Sequence, residues 1–258
     1  MTQILSQHNP LVKDLTALKQ AKARREHNLI LIETLHPVEE AIRANLDIVY
    51  ILLREDRATE LLCNPIVQRC PESTDIRIVS EDILRRIATT DSAPEIVAIA
   101  NRPKLMTTIP TDETVLALYQ LQDPGNIGTL VRSALAFGVT QITLVSESSH
   151  VTDPFHPKII RSSAGLIFRV RLSMCDSLEK LAEKTSLIAL DAKAETSLLN
   201  FEWPRNSVIL LGSEGAGLPE HLPTKTTRLS IPMTSDAESL NVAIAGSLVL
   251  SARYQAGL

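Results

Sequence analysis

The chain has 258 residues, 44% of them apolar, and a formal net charge of −4. That composition excludes a disordered chain and allows one large domain or two smaller ones, and the slight acidity argues against a surface that binds polyanions everywhere. With only 3% aromatic residues, base stacking cannot be the main grip on a nucleic acid, so charge and shape would have to serve.

In chain order, Leu11, Leu15 and Leu18 recur at helical spacing behind Pro10, which predicts a first helix. Between residues 13 and 25 that helix carries Lys13, Lys19, Lys22, Arg24 and Arg25 against one acid, Asp14. This is a basic stripe for a polyanion or simply a solvated face. The apolar run at 29–32 reads as a buried strand, followed by a helix over 37–45, a strand over 48–53, a helix over 55–63 and a strand over 76–79. Ser80 with the acids behind it opens a short helix ending near Thr89, and a strand over 95–100 completes a small α/β unit. Residues 102–111 hold two prolines, three threonines and little apolar periodicity, so they read as a linker between domains at 1–101 and 112–258.

The second domain repeats the alternation: strand 115–121, helix 127–137, strand 141–145, helix 157–163, strand 167–171 and helix 178–184. Strands at 187–190, 208–211 and 228–232 follow, then a final helix over 239–254. Short apolar strands alternating with helices predict a mostly parallel sheet covered on both faces.

Three stretches stand at predicted strand ends: Asn126-Ile-Gly-Thr-Leu-Val-Arg132, Leu211-Gly-Ser-Glu-Gly-Ala-Gly217, and Ile231-Pro-Met with Ser239-Leu-Asn-Val242. In an open α/β sheet they would meet in one crevice beyond the strand ends, the usual ligand site of such a sheet. All nine glycines fall at or after Gly125, so close backbone approach to a ligand belongs to the second half. The dinucleotide fingerprint and the P-loop are absent, and no serine sits in a nucleophile elbow. His150 and His156 flank Asp153, but with prolines on both sides of His156 and no second cluster they read as a polar loop, and no metal is expected. Cys63, Cys70 and Cys175 lack both metal-ligand spacing and an even count. A reducing, cytoplasmic setting is expected, with no leader at the N-terminus and no membrane span.

The three motifs resemble, in order and separation, those of the SpoU (TrmH-like) RNA ribose methyltransferases of the SPOUT superfamily. The pattern Asn-x-Gly-x-x-x-Arg stands at Asn126, Gly128 and Arg132, Gly-x-Glu-Gly-x-Gly at Gly212 to Gly217, and Ser-Leu-Asn-Val at Ser239 to Val242. More loosely, the first hundred residues resemble the family's small substrate-binding domain, through Lys22-Ala-Arg-Arg, the strand ending at Glu33 and Asp91-Ser-Ala-Pro. The chain departs from the family at Thr34 and Ile96, where glycine is usual, at Ser213, often Asn, and at Ala243, often Ser.

The resemblance implies an α/β SPOUT domain with a deep trefoil knot, dimerisation through that domain, and S-adenosylmethionine as methyl donor to a ribose 2′-hydroxyl. It implies RNA as partner, ribosomal RNA in preference to transfer RNA. Leu211, Gly212, Gly217, Ile231, Met233 and Leu240 would hold the cofactor. Arg132 would act on the 2′-hydroxyl, as base or as stabiliser of alkoxide and phosphate, and Asn126, Glu214, Ser239 and Asn241 would shape the site. Asn126 and Ser239 could equally be helix N-caps. Lys19, Lys22, Arg24, Arg25 and Arg161 are the RNA-binding candidates, although Arg161 could also merely close a helix. Leu248, Val249 and Leu250 on the last helix would serve the dimer contact or the core. A non-catalytic RNA-binding protein with the same fold is the alternative.

Overall fold

A computed structural model describes residues 2–4, 6, 8–109, 112–147, 152–183, 185–234 and 239–258. His150, Pro110 and Thr111 of the expected linker, and Lys184 at the expected end of a helix, lie outside the described residues. The chain forms two compact units, Met1–Lys104 with Asp153–Phe168, and Leu105–Thr152 with Arg169–Leu258. The expected linker is therefore divided, its Met106 pairing with Ser173 of the second unit.

The first unit begins with β1 (Thr2–Ile4), a strand with no signal in the local sequence pattern, and α1 (Pro10–Ala17). Asn9 caps α1 by accepting the Leu11 N–H, and Pro10 takes the first helical position, where its missing N–H is harmless. The basic stretch expected as one helix is two: α2 (Ala21–Glu26) starts anew after a break at residues 18–20. Arg24 explains the break. Its Nη1 donates to the Leu18 and Lys19 carbonyls at 2.9 and 2.8 Å, so the backbone groups released at the end of α1 are satisfied without a continuous helix.

Next come β2 (Leu29–Glu33), α3 (Leu35–Arg43), β3 (Ile48–Arg54), α4 (Ala58–Leu62), β4 (Asp75–Val79), α5 (Glu81–Ile87) and β5 (Ile96–Asn101). The five strands order as β1-β4-β3-β5-β2. The β1, β4 and β3 pairs are parallel, whereas β5 runs antiparallel to both β3 and β2. Leu31, Leu52, Val97 and Ile99 pack under Val12 and Leu15 of α1 and Ile83 and Leu84 of α5, which is why those residues recur with helical and alternating periods.

The second unit carries β6 (Val115–Tyr119), α6 (Pro124–Ala136) and β7 (Gln141–Val145). The chain then returns to the first unit for α7 (Pro157–Ser162), capped by His156. The expected strand over 167–171 is corrected: Leu166–Arg169 is a 3-10 turn and the strand β8 is Arg171–Cys175. Ala164 and Gly165 both take positive φ, which turns the chain, and Ile167 is buried as a turn residue, so its apolarity mimics a strand. Gly165 is required there, since a Cβ would lie 2.7 Å from the Pro37 Cα.

The rest is α8 (Leu178–Ala182), β9 (Leu187–Leu190), β10 (Val208–Leu211), β11 (Thr226–Leu229) and α9 (Val242–Gln255). β11 starts two residues before its expected position. All pairs of the six-stranded sheet are parallel, in the order β11-β9-β10-β6-β7-β8. Strands buried on both faces read as continuous apolar runs, as Val208-Ile-Leu-Leu does. α6 and α9 pack closely because Gly246 leaves room for the Leu130 and Leu211 side chains, and a 2.7 Å Ser133–Ser247 hydroxyl bond ties them.

Candidate active site

β9, β10 and β11 point their carboxyl ends at a cavity of about 580 Å³, closed on another side by the start of α9. The six residues expected to hold the cofactor, Leu211, Gly212, Gly217, Ile231, Met233 and Leu240, all line it. Leu211 ends β10, and the loop behind it folds back on itself: Ser213 and Gly217 exchange backbone hydrogen bonds at 3.1 and 3.0 Å. Two glycines make this possible. A Cβ at Gly212 would collide with the Gly217 backbone, and Gly217 itself has φ +67°.

The polar candidates form a chain at the rim. Asn126 donates from Nδ2 to Glu214 Oε1 at 3.0 Å, and its Oδ1 accepts from Asn241 Nδ2 at 3.2 Å. Asn241 is the N-cap of α9, its Oδ1 accepting the Ala243 and Ile244 N–H groups at 2.9 and 3.3 Å. The helix-capping alternative for Asn126 and Ser239 is thereby overturned. α6 starts three residues earlier than expected, because Asp123 caps it with Pro124 at its first position, and α9 starts three residues later, behind Asn241. Asn126 is left in the first turn of α6 with its amide available for Glu214. Ser239 lines the cavity, exposed and without a hydrogen-bond partner among the described residues. Arg132 lies six residues beyond Asn126 on α6, exposed, with no ion pair or hydrogen bond among the described residues. It is not part of the cavity wall of its own chain.

Asp191, which stands outside the three motifs, is also on the wall. Its Oδ1 accepts the Lys193 N–H at 2.9 Å and its Oδ2 accepts from Arg228 Nη1 at 2.6 Å. The Lys193 backbone N–H first, and Arg228 behind it, hold this carboxyl below the usual range. Its position directly after a predicted strand was the available signal. At the ends of β6 and β7, buried Tyr119 donates to Glu147 at 2.9 Å, and burial with that carboxylate pushes the phenol up to about 12. Glu147 also accepts the Leu178 N–H at 3.0 Å, so this pair secures α8.

In the first unit the RNA-binding candidates separate. Lys22 and Arg25 are exposed and Lys19 is half-buried, but Arg24 is fully buried and is corrected from RNA contact to anchor. Its Nε donates to Asp153 Oδ2 at 2.8 Å, and Arg102 reaches Asp153 Oδ1 at 2.7 Å. Burial raises the Asp153 carboxyl, but Arg102 and Arg24 together outweigh it and hold the group below its ordinary value. Arg161 is clamped rather than free: Nη1 donates to Glu33 Oε2 at 2.6 Å and to Thr89 Oγ1 at 3.1 Å, leaving the side chain 31% exposed. Among the described residues no group of His, Cys, Asp or Glu is placed to hold a metal ion, and no helix is long and apolar enough to cross a membrane.

The sequence matches the SpoU rRNA Methylase family over residues 113–251 and the MRM3-like substrate binding domain over residues 9–98. It is 32% identical to an uncharacterized tRNA/rRNA methyltransferase of Synechocystis sp., over 99% of this chain and 94% of that protein. A 23S rRNA guanosine 2′-O-methyltransferase of Bacillus subtilis, RlmP, is 31% identical over 97% of this chain and 98% of its own. Among solved structures, the AdoMet-bound rRNA methyltransferase from Sinorhizobium meliloti superposes with a TM-score of 0.83 at 26% identity, covering 100% of this chain and 98% of that one. The parallel sheet, the cavity at its carboxyl ends and the ordered motifs are those of one lineage: the chain belongs to the SpoU rRNA methylase family and is an S-adenosylmethionine-dependent RNA methyltransferase.

Proposed function

We propose that the chain methylates a ribose 2′-hydroxyl of ribosomal RNA, in preference to transfer RNA, with the cavity at β9, β10 and β11 as the cofactor pocket. The observation that carries this reading is the Glu214–Asn126–Asn241 chain on the rim of a cavity walled by glycine backbone and aliphatic side chains. The cavity fits the cofactor: its volume is in the range of small-molecule sites, and the fold-back at Gly212 and Gly217 presents backbone groups rather than side chains to an adenosine. When bound, S-adenosylmethionine supplies an electrophilic methyl carbon on a sulfonium that departs as a neutral thioether.

The protein's task is then positioning and charge. The protonated guanidinium of Arg132 is a fork of donors with no acceptor lone pair, so it does not serve as the base. It stabilises the alkoxide forming at the 2′-oxygen and grips a neighbouring phosphate, while water or a phosphate oxygen takes the proton. Asn126, fixed from both ends by Glu214 and Asn241, keeps the rim rigid, and Ser239, which has no hydrogen-bond partner among the described residues, faces the same cavity to meet substrate.

Arg132 of one copy serves the cavity of a second copy in a homodimer. Ile244 and Leu248, one turn apart on α9, remain 54% and 43% exposed, as an apolar contact would need, while Val249 and Leu250 fill the core. A trefoil knot in the C-terminal unit suits the strand order, in which the chain leaves β10, passes to the far edge at β11 and returns to α6 with α9. The preference for ribosomal RNA is supported by the substrate-binding match at residues 9–98 and by the 23S rRNA named for the Bacillus subtilis relative. The three free cysteines suit work in the cytoplasm.

The test is methyl transfer from labelled S-adenosylmethionine to purified ribosomal RNA and transfer RNA, read by mass spectrometry of the digested nucleosides. A 2′-O-methyl nucleoside arising in the ribosomal fraction is expected. Label on a base, or in transfer RNA alone, would overturn the reading.

A further inference from the structure

Among the described residues that line the cavity, two are carboxylates, Glu214 and Asp191, and none is Lys, Arg or His. Glu214 is engaged by Asn126, whereas Asp191 belongs to none of the three motifs. It follows directly on β9, and three hydrogen bonds immobilise it: Lys193 N–H and Arg228 Nη1 donate to its oxygens, and Arg228 is itself pinned through Nη2 to the Glu220 carbonyl at 2.9 Å. An ionised carboxylate offers about four acceptor directions, and these contacts use two. The remaining ones are open to a group held in the cavity.

We propose that Asp191, held in place by Arg228, accepts hydrogen bonds from the ribose hydroxyls of the S-adenosylmethionine adenosine; this rests on the reading of the cavity as the cofactor pocket. Arg228 decides which part of the cofactor is recognised. Because it already balances the charge of Asp191, the pair exerts little net field on the sulfonium or the α-ammonium group, but it keeps directional acceptors. A vicinal diol supplies neighbouring O–H donors to such acceptors. Elsewhere on the wall Leu211, Ile231 and Leu240 offer no side-chain acceptor, so a hydroxyl turned toward them would be desolvated without compensation.

The experiment is calorimetric titration of the full chain with S-adenosylhomocysteine and its 2′-deoxy and 3′-deoxy counterparts, for wild type, Asp191→Asn and Asp191→Ala. In wild type, deleting the recognised hydroxyl should weaken binding about tenfold, as should Asp191→Ala with the intact ligand. In Asp191→Ala the same hydroxyl deletion should then change affinity less than about twofold, the signature of a shared contact. Should thermal melting show Asp191→Ala unfolded, the isosteric Asp191→Asn carries the comparison, with the penalty for hydroxyl deletion reduced relative to wild type. Variants that bind S-adenosylhomocysteine as wild type does, or that keep the full deletion penalty, overturn the role of Asp191 and leave the pocket standing. A folded wild type that binds no S-adenosylhomocysteine overturns the pocket and this inference together.

Discussion

Thr34 has φ +71° and ψ 155°, backbone that is close to glycine-only territory, and it does so with a β-branched side chain and without making a capping hydrogen bond for α3. The strain persists because Glu33 before it is locked by Thr89 and Arg161, and Thr34 N–H itself bonds to the Ile96 carbonyl at 3.2 Å. Relief of about 1–3 kcal/mol of strain, less the roughly 0.5–1 kcal/mol that glycine loses in chain entropy, leaves Thr34→Gly stabilised by about 1 kcal/mol. The melting transition of the first unit should rise by about 2–4 °C; a fall would mean the side chain is packing usefully. At Arg132 the expectation concerns chemistry. An exposed side chain without a partner among the described residues contributes little to the fold, so Arg132→Ala should leave S-adenosylhomocysteine affinity within about twofold while kcat drops by about 10² or more. Arg132→Lys keeps the positive charge and should retain activity that grows as pH rises. No turnover at any pH, with normal cofactor binding, would point instead to a strict need for the guanidinium fork.

At the scale of elements, the Gly212 loop and the α6–α9 contact differ in what a methyl group would strike. At Gly212 it meets the backbone of Gly217, which cannot step aside, so Gly212→Ala should open the loop and weaken S-adenosylhomocysteine binding about tenfold or more, with the circular dichroism of the sheet unchanged. At Gly246 it meets the ends of Leu130 and Leu211, which can rotate, so Gly246→Ala should cost about 1–3 kcal/mol of stability with a smaller effect on binding. Elements with a purely local signal were legible: residues 187–190 and 208–211 are unbroken apolar runs and form the predicted β9 and β10. Boundaries set by competition between equivalent caps were not. Asp123, Asn126, Ser239 and Asn241 are all good capping types, and only tertiary placement frees Asn126 and recruits Asn241. Motif residues could be found because their chemistry is visible in their type. That Asn126 joins Glu214 to Asn241 could not, since those hydrogen bonds span 88 and 115 residues of sequence.

For the whole molecule, charge arithmetic and burial part company at Arg24. A run of basic residues looks uniform in sequence, yet one of the five is withdrawn into the core by an acid 129 residues away, which no local pattern discloses. The Arg24–Asp153 pair fastens residues 153–168 into the first unit, so Asp153→Asn should destabilise that unit by about 3–5 kcal/mol by leaving a guanidinium buried and unpaired. The carboxyl of Asp153 is depressed in the folded chain, so its contribution is present above the unfolded value of 3.8 and disappears as pH falls through the lower folded value. The gap between wild type and Asp153→Asn in urea unfolding should therefore be full at pH 7 and close only under acid conditions; a gap that closes near neutrality would assign it to another group. The same distinction sharpens the test of the RNA surface. With an overall charge of −4, affinity for RNA has to come from a local patch, and the proposed one, without Arg24, is Lys13, Lys19, Lys22 and Arg25. Changing those four to Gln should weaken RNA binding and lower the slope of log K against log salt by about 0.7–0.9 for each phosphate no longer neutralised, with melting unaltered. Adding Arg24→Gln should unfold the first unit rather than flatten the slope further. An unchanged slope in the fourfold variant would move the RNA surface to another face of the protein.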